Sequence, residues 1–97
     1  MHWDINEIKY MGNRTFAVKF ADGLSGTMRL APSYCTGVFR PLLDDKLLEQ
    51  ASVQFGVVTW PNGLDLAPDT MYGEIRQNPA RHYEVGLRRR KMRTDPN

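Results

Sequence analysis

The segment Phe16-Ala17-Val18-Lys19-Phe20 alternates with a period of two, so Phe16, Val18 and Phe20 share one face while Lys19 occupies the other. A run patterned in this way forms a strand with one buried face. It leads into Ala21-Asp22-Gly23, a turn signal in which glycine adopts positive φ at little steric cost, and then into Thr27-Met28-Arg29-Leu30, which alternates again. These features predict an antiparallel hairpin. Upstream, Trp3 and Ile5 and then Ile8 and Tyr10 each alternate, with a change of phase between the two pairs. That change predicts a first strand bulged near Asn6-Glu7 and turned back at Gly12-Asn13.

Proline at position 32 ends the third strand, because it cannot donate to a sheet ladder. Val38, Phe39, Leu42 and Leu43 then recur at helical spacings, with Pro41 tolerable only in a first helical turn. A second short helix is expected from Asp44 or Asp45, whose carboxylate can accept from first-turn amides, with Leu47, Leu48 and Ala51 as its inner face. Ser52-Val53-Gln54-Phe55 and Val57-Val58-Thr59-Trp60 have high strand propensity and are separated by Gly56. Residues Ala67 to Gly73 suit one or two helical turns, starting at Pro68 and stopping near Gly73. The expected order is β-β-β-α-β-β-α, an α+β fold in which a small antiparallel sheet of about five strands carries short helices on one side. Residues 1–75 are expected to form this single domain and residues 76–97 a basic C-terminal tail.

At 97 residues the chain has room for one modest core. No apolar run approaches the roughly 18 residues of a membrane span. The amino terminus carries neither a basic nor an apolar signal region, so a cytoplasmic location is expected. Cys35 is the sole cysteine, which excludes an intramolecular disulfide and reads as a small buried packing residue. The net charge of +2 is unevenly divided: residues 1–73 balance to −2 and residues 74–97 to +4. Arg88, Arg89, Arg90, Lys91 and Arg93 concentrate the basic character, and such a cluster can meet phosphates or an anionic partner, or simply solvate a chain end.

Trp60-Pro61-Asn62-Gly63-Leu64-Asp65-Leu66-Ala67-Pro68-Asp69 packs turn formers, two carboxylates and a large aromatic into ten residues. Pro61 and Gly63 suit a tight turn, Asn62 can bond neighbouring backbone, and Asp65 and Asp69 can serve the turn and the start of the next helix. Together with Phe20-Ala21-Asp22-Gly23 and Gly37-Val38-Phe39-Arg40-Pro41-Leu42, this segment resembles the small bacterial family catalogued as domain of unknown function 2442. The resemblance covers residues 3 to about 75 and implies a compact α+β fold without an established activity. It also implies a partner, since members resemble halves of two-protein pairs of the toxin and antitoxin kind.

These readings converge on a non-enzymatic protein-binding or regulatory module, antitoxin-like, that meets a small protein partner through Trp60, Asn62 and Asp65. Self-association is a further expectation, because a two-layer domain of this size leaves a sheet face or strand edge to be covered. The alternative is weak, salt-sensitive nucleic-acid binding through Arg88, Arg89, Arg90, Lys91 and Arg93, aided by Arg76 and Arg81. A second alternative is a metal-assisted hydrolase using Asp44, Asp45, Asp65 and Asp69 with His2 or His82 as base. The residues single out no catalytic set, metal site or cofactor motif, since no serine or cysteine comes with an evident base and orienter and no phosphate-cradling glycine loop is present.

Overall fold

The computed structural model describes residues 3–85. Strand β1 (Ile5–Gly12) pairs antiparallel with β2 (Thr15–Phe20), and β2 with β3 (Ser25–Leu30). The register slips between Ile5 and Glu7, at the position of the expected bulge. Phe16, Val18 and Phe20 are all buried, as are Met28 and Leu30. The period-two pattern therefore faces one core.

A 3-10 turn (Pro32–Tyr34) and a 3-10 helix (Gly37–Leu43) follow. The second was expected as an ordinary helix with Val38, Phe39, Leu42 and Leu43 on one face. With three residues per turn, only Phe39 and Leu42 align. Leu42 is buried and Phe39 partly so, whereas Val38 and Leu43 are exposed. Helix α1 (Asp45–Leu48) starts where expected, with the Asp44 carboxylate accepting from the Lys46 amide at 3.0 Å.

Strands β4 (Ser52–Gln54), β5 (Val57–Thr59) and β6 (Asp65–Leu66) form a second antiparallel sheet in that order. Helix α2 (Pro68–Gln77) begins at Pro68 but passes through Gly73. A glycine inside a helix costs about 1 kcal/mol. Burial of Met71, Tyr72 and Ile75 on the helix face outweighs that penalty. The Tyr72 hydroxyl donates to Asp22 in the β2–β3 turn, tying α2 across the first sheet.

Strand β7 (His82–Val85) then pairs parallel with β3, completing a four-stranded sheet of order β1-β2-β3-β7. The α+β class, the antiparallel hairpins and the short helices agree with expectation. The strands number seven among the described residues, divide into two sheets and include one parallel pair. The fold also continues past the expected boundary at residue 75, since α2 runs to Gln77 and Val85 is buried. The Ile5 amide donates to the Gly56 carbonyl at 2.9 Å, joining the two sheets.

Arg14 knits the elements together from the β1–β2 turn. Its Nε donates to Leu30 O at 2.9 Å, one Nη to Leu42 O at 2.8 Å and the other to Asp45 Oδ1 at 3.0 Å. The guanidinium also lies 3.4 Å from Cys35 Sγ. Burial pushes the Cys35 thiol above its ordinary value, against the opposing charge and hydrogen bond of Arg14. Cys35 is thus a buried packing residue, as its isolation in the sequence suggested.

Candidate functional site

The signature segment resolves into a turn used twice in the chain. At Phe20-Ala21-Asp22-Gly23, the Gly23 amide donates to Phe20 O, the Phe20 amide to Leu24 O, and Asp22 Oδ1 accepts from the Leu24 amide at 2.9 Å. At Trp60-Pro61-Asn62-Gly63, the Gly63 amide donates to Trp60 O, the Trp60 amide to Leu64 O, and Asn62 Oδ1 accepts from the Leu64 amide at 3.2 Å. Gly23 and Gly63 have φ of +96° and +92°. This is a three-residue hairpin loop closed by a glycine bulge, and the Asp or Asn side chain completes it. Asn62 thus has the same structural task as Asp22.

Trp60 was expected as an exposed anchor for a partner, and the structure corrects this. Its side chain is 2% exposed, Nε1 donates to Leu48 O at 2.9 Å, and the indole meets Phe16 edge-on at 6.5 Å between ring centroids. The signal was present in its parity with Val58, because residues two apart on a strand share a face. Asp65 is exposed in β6 opposite Thr59, and α2, with Ala67 at its N-cap, has no side-chain cap. The Asp65 carboxylate therefore does not cap this helix. Of the three residues expected to form one recognition surface, Trp60 belongs to the core, while Asn62 and Asp65 remain exposed on the β5–β6 hairpin.

The acidic residues considered for a cation are also separated. Asp44 caps α1, Asp45 pairs with Arg14, and Asp69 Oδ1 accepts from the Thr70 amide at 2.9 Å. Among the described residues, no group of three or more histidine, cysteine or acidic side chains is arranged to hold a metal. His2 and the cluster Arg88, Arg89, Arg90, Lys91 and Arg93 lie outside the described residues.

What the fold does bring together is a cleft beside β7. Asn78 leaves the helical conformation at ψ +119°, as a residue before proline must, and Pro79 cannot continue the helix. Asn78 Oδ1 then accepts from the Ala80 amide and its Nδ2 donates to His82 O at 2.7 Å, bending the chain from α2 into β7. Between these elements lies a cleft of about 530 Å³, with Glu74 and Gln77 of α2 on one wall and His82, Tyr83 and Glu84 of β7 on the other.

Polar pairs cross from β7 to β3 on the face opposite the core. The parallel register places Thr27 opposite His82 and Arg29 opposite Glu84. Thr27 Oγ1 lies 2.7 Å from His82 Nδ1, His82 Nε2 lies 3.1 Å from Glu84 Oε1, and Arg29 donates to Glu84 Oε2. With a proton on Nε2 the imidazole donates to Glu84, while the Thr27 hydroxyl can either donate to or accept from Nδ1. The order hydroxyl, imidazole, carboxylate is also that of a nucleophile with its base and orienter. Here cross-strand pairing accounts for it, since each partner is the register neighbour or the next residue on the same strand face. The members of each cross-strand pair are 55 residues apart, so no local motif announces them.

Burial pushes the Glu84 carboxyl up, but the hydrogen bonds and charge of His82 and Arg29 outweigh it and hold the group below its ordinary value of 4.5. A carboxylate depressed on folding adds stability above its unfolded pKa, and that contribution is lost as pH falls through the folded value. The docking of β7 is therefore expected to weaken below about pH 4.5. Amide hydrogen exchange at Tyr83 and Val85, compared between neutral and acidic pH after correction for intrinsic rates, should show the loss. In Glu84→Gln the acid-dependent part should vanish. An unchanged pH dependence in this variant would contradict the assignment.

One family model matches the chain over residues 5–77, that of a family described as a protein of unknown function (DUF2442). No curated protein and no solved structure matches the chain. The matched span ends on the last residue of α2, so it includes Thr27 and Arg29 but not β7, which holds their partners His82 and Glu84.

Proposed function

From the premise that the chain belongs to the DUF2442 family, we propose that it is a non-enzymatic protein-binding module, the antitoxin-like half of a two-protein pair. The cleft between α2 and β7 carries this reading. Strand β7 stands at the edge of its sheet among the described strands, and a helix runs beside that edge. The carbonyls of Arg81 and Val85 accept from the amides of Thr27 in β3 and Ala31 just beyond it. By the alternation of a strand, His82 and Glu84 direct their backbone groups to the opposite side. Asn78 takes up the His82 carbonyl. An extended segment of a partner can add to such an edge through main-chain hydrogen bonds, with the helix wall selecting its side chains.

The test is recovery of the tagged full chain from its native host in mild salt, alongside Gln77→Trp. Gln77 is exposed on the cleft wall, so the substitution narrows the cleft without entering the core. Wild type should bring down a second small protein in stoichiometric amount. The variant should lose it while melting at the wild-type temperature. Recovery of the chain alone, turnover of a small molecule by it, or equal retention by the variant would overturn the reading.

A further inference from the structure

The turn between β4 and β5 breaks two local rules at one residue. Phe55 and Gly56 are its central positions, with φ of +53° and +79°, enclosed by the paired Gln54 and Val57. Two-residue hairpin turns with both φ positive favour Asn-Gly or Asp-Gly, and a bulky side chain at positive φ is a genuine outlier. The Phe55 side chain is also 100% exposed. A strained backbone and a solvated aromatic add nothing to the stability of a single chain. Local rules broken together in this way mark functional positions.

The support beneath the ring is firm. Gly56 O accepts from the Ile5 amide at 2.9 Å, and Asp4 packs so closely that a Cβ on Gly56 would stand 2.7 Å from its carboxyl carbon. The hairpin tip is therefore held against β1, and Phe55 projects from it.

The same chain contains an apolar socket of suitable size. A pocket of about 220 Å³ lies between Tyr34, Leu66, Met71, Tyr83 and Val85, with Thr70 at its wall. An apolar cavity of about 150 Å³ accommodates benzene, so this one has room for a phenyl ring. We propose that Phe55 of one copy docks into this pocket of a second copy, so that the chain associates with itself head to tail. The hairpin tip and the pocket are built from different elements, which makes the contact heterologous. One aromatic side chain buries roughly 150–250 Å², against about 800 Å² per partner in a stable interface. The association is therefore weak and grows with concentration. It stands independently of the cleft reading.

Sedimentation velocity on the full chain, in a series reaching about 1 mM at the weak end of the affinity scale, tests it with two variants. Phe55→Asn removes the ring and leaves the favoured Asn-Gly turn. Thr70→Arg blocks the socket from an exposed position. Far-UV circular dichroism establishes that both fold. Wild type should rise above the 11.1 kDa monomer with concentration, and each variant alone should stay monomeric. An equimolar mixture should recover a pair, because one variant keeps the socket and the other the ring, and it should stop at the dimer. Monomeric wild type throughout, association of Phe55→Asn equal to wild type, or a mixture that remains monomeric would each overturn the proposal.

Discussion

Trp60→Ala is expected to lower the unfolding free energy by about 3–5 kcal/mol, the range for removing a large aromatic from a packed core. The indole packs edge-on to Phe16 and bonds to Leu48 of α1, and a close-packed interior relaxes only partly into the space such a side chain leaves. In a domain of this size such a loss lowers the melting temperature by more than about 10 °C. Trp60→Phe should recover part of it. The remaining loss, about 0.5–1.5 kcal/mol, reflects the indole hydrogen bond to the Leu48 carbonyl, which keeps only the longer bond from the Ala51 amide at 3.3 Å. Denaturant titration with an unchanged slope checks both values. The experiment also separates two roles for the signature segment: an alanine variant as stable as wild type but deficient in partner binding would restore Trp60 as a surface anchor.

Arg14→Met should produce a loss of similar size, about 3–5 kcal/mol, for a different reason. The guanidinium is 11% exposed and satisfies the carbonyls of Leu30 and Leu42, on elements distant in sequence. Removing it leaves both acceptors without that donor. Arg14→Lys should restore little, because an ammonium cannot reproduce the fork that meets three acceptors at once. Asp45→Ala should cost only about 0–1 kcal/mol, since its side chain is 75% exposed and the pair is screened by solvent. Equal losses for Arg14→Met and Asp45→Ala would show that the ion pair to α1, not the carbonyl contacts to Leu30 and Leu42, is what anchors the turn.

The two turns containing Asp22 and Asn62 show how a motif can be dense in special residues for backbone reasons. Each uses a side-chain oxygen to hold the amide two residues on, and each ends in a glycine at positive φ. The proline in the second presets φ for the same loop. That much of Trp60 to Asp69 concerns folding. The cleft, by contrast, depends on Asn78, His82 and Glu84, which had read as the start of a solvated tail.

Local pattern alone determined the hairpins, the bulge between Ile5 and Glu7, the buried face of Phe16, Val18 and Phe20, and the helix starts at Asp44 and Pro68. These follow from interactions between residues close in sequence, where alternation, turn chemistry and capping act directly. Tertiary structure alone decided the parallel pairing of β7 with β3, the division into two sheets, and the passage of α2 through Gly73. Thr27 and His82 are brought into contact only when the intervening chain has folded, and no periodicity within either strand encodes that neighbour. The buried face of α2 overrides the helix-breaking tendency of Gly73 because Tyr72 and Ile75 gain more from burial than glycine loses in backbone entropy.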